Sequence, residues 1–228
     1  HHQGVAIIMS PHAARSLMEW RPVSSRIISA RLYSRYSKVT IIQVYAPTND
    51  ATEQTKDDFY EQLQDTVKKC NKHDTIIIMG DLNAKVGNHN QGIESVLGKH
   101  GMGVKNDNGE RLCEFCMMNG YAITGSMFPH KDIHKATWVS PNGRTKNQID
   151  HIMINKNRQS AVRDTRAYRG ADVNSDHYLV ISRIKIKLSK NIDKSKSKPR
   201  LNMQRLKDPE IKRLFALEVR NRFAVLDE

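Results

Sequence analysis

Apolar residues recur with a period of two in some stretches of the chain and of about 3.6 in others, and the changes of period mark out its elements. Residues 5–9 form a short apolar run ended by Ser10-Pro11 and predict a strand. Residues 26–33 and 38–45 are rich in Ile, Val, Thr and Tyr, and the polar stretch 34–37 between them suits a hairpin. Over 51–71 the period changes: Phe59, Leu63 and Val67 fall on one helical stripe with charges between them. A strand at 75–79 follows, then a Gly-, Asn- and His-rich stretch, 88–108, that reads as a long surface loop. A helix is predicted over 109–118, stopped by Asn119-Gly120. Strands are predicted at 122–124, 136–139, 148–154, 162–168 and 179–188. Beyond Lys190 the chain is Ser/Lys-rich and reads as a linker. Asp208-Pro209-Glu210 then opens a helix, with Asp as cap and Pro at the first position; its apolar residues Ile211, Phe215 and Val219 need something to pack on. Many strands interleaved with few helices, several as adjacent hairpin-like pairs, predict a layered α/β sandwich rather than a simple βαβ alternation.

With 228 residues the chain is long enough for one large domain and a short extension. The net charge of +13 sharpens this division, because residues 183–200 hold eight Lys or Arg against one Asp. Such a run attracts polyanions through counterion release without choosing among sequences, although from charge alone a solvated linker is the simpler reading. No apolar run approaches the roughly 20 residues needed to cross a bilayer, so no membrane association is expected. The first residues do not resemble a signal peptide. The three cysteines cannot all pair, and an intracellular, reducing compartment is expected. Cys113 and Cys116 lie on the predicted helix beside Leu112 and Phe115; no second ligand pair has zinc-site spacing, so Cys116 reads as a small buried apolar residue. Met117-Met118 reads as helix core or helix end, and His89, His100, His130 and His134 as solvated loop residues.

Three segments share one shape, an apolar strand adjoining a polar cluster: Gly80-Asp81-Leu82-Asn83, Gln148-Ile149-Asp150-His151 and Ser175-Asp176-His177. Each alone has a plain explanation. Gly-Asp after a strand is usually a turn, Asp150 has several arginines to pair with, and Ser-Asp-His often caps a turn. Their joint occurrence fits phosphodiester cleavage, which needs an oriented water, a sink for charge on the pentavalent phosphate and help for the leaving oxyanion. Carboxylates hold hard divalent cations, and a histidine held by a second carboxylate is poised to exchange a proton with the phosphate.

"IIIMGDLNAKVG" (76–87), "ATWVSPNGRTKNQIDHIMI" (136–154) and "NSDHYLVI" (174–181), in this order, resemble the endonuclease/exonuclease/phosphatase superfamily. "IIQVYAPTND" (41–50) is similar to the Tyr-x-Pro segment of these enzymes, and the wording is closer still to RTE/BovB-type non-LTR retrotransposon endonucleases. The resemblance runs from about Gly4 to Lys190. It implies a four-layer sandwich of two mixed β-sheets flanked by helices, with a nuclease domain over 1–190, a basic linker over 191–207 and a C-terminal helix over 208–228. The tail resembles the segment between endonuclease and reverse transcriptase in such elements. The implied activity is Mg²⁺-dependent (or Mn²⁺-dependent) cleavage of DNA, of apurinic/apyrimidinic type, in the nucleus. Carried over by motif, Asp81 activates the attacking water and Asn83 orients water or phosphate. His177 contacts the scissile phosphate, Asp150 holds its imidazole, and Tyr45 approaches the phosphate with its hydroxyl. Asp176 and Asp81 lie at the metal, while Ser175, Lys185 and Lys187 face DNA. Trp138, at the family's Thr-Trp position, is expected to be core packing rather than a DNA wedge. The family pattern begins with an Asn-ended and a Glu-ended strand, whereas this sequence matches from just after that Glu. An N-terminally truncated domain with half of its metal site missing is therefore the expectation, and a catalytically impaired DNA- or chromatin-binding module the alternative. Glu19 lies past that point and is no substitute.

Overall fold

The computed structural model describes residues 3–171, 175–186 and 203–223. The chain separates into two compact units, His1–Leu188 and Ser189–Glu228. In the first, a short helix α1 (Pro11–Ala14) precedes a six-stranded sheet. Its strands are β1 (Leu17–Ser24), β2 (Ile27–Leu32), β3 (Val39–Tyr45), β4 (Thr75–Asp81), β5 (Tyr121–Ile123) and β8 (Asp150–Asn155), in the order β1-β2-β3-β4-β8-β5. The expected hairpin is present as an antiparallel β2–β3 pair. β3 and β4 are parallel, and the connection that this requires is α2 (Glu53–Lys68). β8 then pairs antiparallel with both β4 and β5. The sheet is thus mixed and flanked by helices, as the sequence leads one to expect.

The core lies between this sheet and α2 and α3 (Asp107–Asn119). Phe59 and Leu63 of the α2 stripe are buried, with Val67 partly so, against Ile42, Val44 and Ile78. α3 buries Leu112, Phe115 and Cys116, and Phe115 stacks on Tyr121 at 6.2 Å. Gly120, at φ 67°, ends α3 in the left-handed conformation that its sequence announces. Lys56, itself buried, joins the two helices through Asp107 at 2.9 Å, and Arg111 reaches back to Asp57 and Glu53.

Three expectations about the fold are corrected. Residues 5–9 form no strand, although their exposure alternates as a strand's does; among the described residues they have no ladder partner. The outer strand is instead β1, which among the described residues pairs only with β2 and exposes seven of its eight residues, Trp20 and Pro22 among them. The stretch 88–108 is not merely surface: Val96 and Leu97 are buried in the core, and Leu97 bridges Ile123. His130 is no free loop residue either, since its Nε2 lies 2.6 Å from the Asp164 carboxylate and its ring packs edge-on against His134.

Beyond the six-stranded sheet, β9 (Val162–Tyr168) and β10 (Leu179–Ile184) form an antiparallel pair, as do β6 (Trp138–Val139) and β7 (Lys146–Asn147). Lys187 and the end of the strand expected over 179–188 lie outside the described residues, as do positions 191–202 of the expected linker. In the second unit Met203–Lys207 is a 3₁₀ turn leading to α4 (Pro209–Phe223). Asp208 caps α4 through Oδ1, which accepts the Glu210 N–H at 2.9 Å, and Leu214, Phe215 and Leu217 are exposed on it.

Candidate active site

The site is built by strand register. Parallel pairing sets Tyr45 of β3 opposite Asp81 of β4, and antiparallel pairing sets Asp150 of β8 opposite Asp81 on its other side. Residues in register share a face of the sheet, so the phenol and two carboxylates stand in one row at its end. Gly80 allows this row to form: its φ is 143°, and a Cβ there would lie 1.9 Å from the Val44 carbonyl oxygen. Past the strand, Asn83 adopts φ 48°, the left-handed region that Asn tolerates better than most residues. Its N–H donates to Asp81 Oδ1 at 2.8 Å and its carboxamide to the Ala46 carbonyl at 3.0 Å, tying the segment after Asp81 to the one after Tyr45.

The third sequence cluster arrives from the approach to β10. Ser175 Oγ accepts the His177 N–H at 3.1 Å, and the Tyr178 N–H donates to the Thr137 carbonyl at 2.7 Å. His177 Nδ1 then lies 3.0 Å from Asp150 Oδ2. Asp150 therefore pairs with the histidine and not with an arginine. The buried Thr137 hydroxyl accepts the N–H groups of Ile149 and Asp150, satisfying the start of β8 where β5 no longer runs beside it. Trp138 is corrected from core packing: it is half-buried, lines the cleft and donates its indole N–H to Asp176 Oδ2 at 2.8 Å.

These groups act on one another electrically. Burial and the neighbouring Asp150 carboxylate push the Asp81 carboxyl up to about 6, against the opposing pull of the Asn83 N–H and of His177. The hydrogen bond with Asp150 raises the His177 imidazole, helped by the charges of Asp150, Asp81 and Asp176. One ligand atom from each of Asp81, Asp150 and His177 falls within 4.8 Å of the others. A half-buried Asp81 carboxyl whose charge the Asp150 charge opposes suits a divalent cation between them, so the donor set fits a metal. Asp176 lies outside this trio and is held by Trp138, although its charge reaches Asp81.

Asp81 and His177 face a cleft of ≈ 400 Å³ whose lining also includes Tyr45, Asn83 and Trp138, with Asp150 behind His177. A larger concavity of ≈ 570 Å³, lined by Arg21, Arg31 and Cys70 among others, contains none of these groups. Lys185 is exposed beyond β10 and is not part of the cleft's lining. Sequence reasoning missed Arg26, which donates to the Tyr45 carbonyl at 3.1 Å with its guanidinium 5.2 Å from that ring's centre. It also missed Asn106 and Asn108; His151, visible in its polar cluster, is buried with Nε2 2.7 Å from the Ala84 carbonyl and takes no part in the trio. No local signal separates Arg26, Asn106 and Asn108 from other polar residues near strands and helix ends.

The family described as endonuclease-reverse transcriptase matches residues 39–181, a span that contains Tyr45, Asp81, Asn83, Asp150, Asp176 and His177. Craniofacial development protein 2 of Bos taurus is 38% identical over 185 residues, covering 81% of this chain and 31% of that protein. Its counterpart in Tragulus javanicus is 37% identical, covering 81% of this chain and 32% of its own length. The chain thus spans about a third of the curated relatives it matches. Among solved structures, the endonuclease domain of TRAS1, a telomere-specific non-LTR retrotransposon, superposes with a TM-score of 0.53 at 17% identity, over 72% of this chain and 66% of that one. An AP endonuclease from Archaeoglobus fulgidus gives 0.52 at 16% identity, over 71% and 66%. At such identities the likeness shows a shared nuclease fold. The chain belongs to the endonuclease-reverse transcriptase family of the endonuclease/exonuclease/phosphatase superfamily.

Proposed function

We propose that this chain is a DNA endonuclease of apurinic/apyrimidinic type, derived from a retrotransposon and acting in the nucleus. The observation that carries the reading is the row Tyr45–Asp81–Asp150 with His177 held on Asp150, at one end of the central sheet. The folds shared with a retrotransposon endonuclease domain and an AP endonuclease support it. In the mechanism, Asp81 accepts a proton from the attacking water, a role that suits a carboxyl near 6. Asn83 orients water or phosphate without adding negative charge. His177, its Nδ1 engaged by Asp150, presents Nε2 to the scissile phosphate, and the Tyr45 phenol donates to a phosphate oxygen. Asp81 and Asp150, with Asp176 at the edge, would hold Mg²⁺ or Mn²⁺, whose contribution is to neutralise charge developing on the phosphate. Ser175 acts chiefly by holding the His177 turn, and Lys185 and Lys187 would add phosphate contacts.

The test is Mg²⁺-stimulated cleavage of an abasic-site duplex by the wild type, Asp81→Ala and His177→Ala. Each substitution is expected to lower turnover by at least about 10²-fold; cleavage that survives both overturns the site. The basic run over 183–200 favours a second reading, a DNA- or chromatin-binding module without turnover. That module would bind duplex DNA with a steep salt dependence and show no metal-stimulated cleavage.

A further inference from the structure

Two chain segments carry the row described above, one leaving β3 after Tyr45 and the other leaving β4 after Asp81, and a buried carboxamide joins them. Asn108, in the first turn of α3, is 2% exposed. Its Nδ2 donates to the Pro47 carbonyl at 3.0 Å and to the Asn83 carbonyl at 3.2 Å. A primary amide has two N–H groups, so this one is fully committed, one hydrogen to each segment. Asn106 assists from the helix cap: its Nδ2 reaches the same Asn83 carbonyl at 3.3 Å, and its Oδ1 accepts the N–H groups of Lys85 and Gly109. Asn83 presents its carbonyl to α3 only because its backbone is left-handed.

We propose that Asn108 is a positioning residue of the site, bolting the segment after Tyr45 to the segment after Asp81 so that phenol and carboxylate keep their spacing. Size and polarity both matter here. Aspartate would set a carboxylate against two carbonyl oxygens, and leucine would leave both carbonyls buried without a donor. The Ala46 N–H to Asp81 carbonyl bond (2.8 Å) and the Asn83 carboxamide to Ala46 carbonyl bond (3.0 Å) cross the same gap. The Asn108 amide adds a link between Pro47 and Asn83, one residue further along the first segment, and it is buried. A loosened bolt shifts Tyr45 relative to Asp81, and a shift of about 1 Å is enough to lower turnover on the order of 10²-fold. The proposal rests on the endonuclease reading for its consequence in catalysis, but not for the clamp itself.

The test compares wild type, Asn108→Leu and the milder Asn108→Ser, which keeps one donor. Residue-resolved amide exchange is expected to accelerate by roughly tenfold or more at Ala46, Asn83 and Lys85 in Asn108→Leu, with Ile42 and Ile78 in the strand interiors unchanged. Asn108→Ser is expected to fall between. On an abasic duplex, Asn108→Leu lowers kcat on the order of 10²-fold with KM within roughly twofold, and combination with Tyr45→Phe gives less than the product of the two single losses. Unchanged exchange at Ala46 and Asn83, or losses that multiply fully with Tyr45→Phe, overturns the proposal. A wild type that cuts no DNA overturns the endonuclease reading instead, and exchange alone then decides the clamp.

Discussion

Replacing Asp81 by asparagine should make the protein more stable at neutral pH while abolishing its chemistry. Asparagine keeps the size and the oxygen that accepts the Asn83 N–H, and it removes the charge facing Asp150. Holding the carboxyl near 6 instead of 3.8 makes its ionisation in the folded protein about 3 kcal/mol more costly than in the unfolded chain. The side chain is partly exposed and faces His177, so screening and lost attraction reduce the expected gain to about 1–2 kcal/mol. For a protein of this size that is roughly 2–8 °C in Tm. The sign follows from proton uptake: the folded state keeps this proton up to about 6, whereas the unfolded state releases it near 3.8. The stability contributed is therefore complete below 3.8 and is lost as pH rises through about 6. Urea denaturation of both proteins in EDTA, at buffer pH values from below 3.8 to above 7, should show no gap at the acid end and the full gap above pH 7. Added Mg²⁺ should narrow it, because the cation stabilises the folded wild type by mass action. An asparagine variant less stable at pH 7.5, or a gap of constant size, would refute the reasoning.

The Asp150–His177 pair sets the second pH limb. Turnover should rise with pH as Asp81 ionises, at a pH below its metal-free value of about 6 because the cation favours the carboxylate, and fall where His177 loses its proton; Asp150→Asn should move that upper limb to lower pH and lower kcat with little change in DNA affinity, so a pure affinity defect in a pH–rate and binding series would contradict the assignment. Gly80→Ala should destabilise the protein by more than about 2 kcal/mol, since its Cβ would meet the Val44 carbonyl at 1.9 Å in a conformation that L residues avoid; an unchanged urea midpoint would show that the strand ends relax freely.

Some of this was legible because local pattern and long-range pairing agree. β4 announces itself as an apolar run, and the abrupt change at Gly80-Asp81 marks where the sheet face opens. The polar clusters at Asp150 and His177 are visible for the same reason, but their partnership follows only from the family resemblance, since no local pattern announces that Thr137 holds the start of β8 or that Ser175 turns His177 towards it. β1 escaped because an edge strand exposed on both faces has no reason to alternate, and its Glu19-Trp20-Arg21-Pro22 reads as irregular chain. Residues 5–9 misled in the opposite sense: they have a strand's composition, but a strand exists only where another pairs with it. Val96 and Leu97 are two apolar residues isolated in a Gly- and Asn-rich stretch, and no period reveals that they reach the core. Trp138 was assigned to packing because indoles usually are buried, whereas here its N–H is committed to Asp176 at the cleft.

The end of β4 concentrates what a fold built for stability alone would avoid. Gly80 sits in a strand with positive φ, giving up side-chain packing and backbone entropy to let β3 approach. Asn83 stands in the left-handed region at a cost of about 1 kcal/mol, and Asp81 carries a charge that burial and Asp150 both oppose. Gly80 serves the close pairing of β3 with β4, but neither the Asp81 charge nor the Asn83 turn is needed to close the sheet, whose interior is satisfied by Ile42, Val44 and Ile78. The surrounding structure nevertheless fixes each in place: the Val44 carbonyl leaves no room at Gly80, two carboxamides from α3 hold the Asn83 carbonyl, and His177 faces the carboxylates. Packing accounts for Gly80, but it does not place an opposed charge and a left-handed asparagine beside it, each individually supported. A requirement for an ionisable carboxyl, a donor-bearing turn and a phenol at one spacing does, and it predicts that stabilising substitutions at positions 81 and 83 remove activity as they raise Tm.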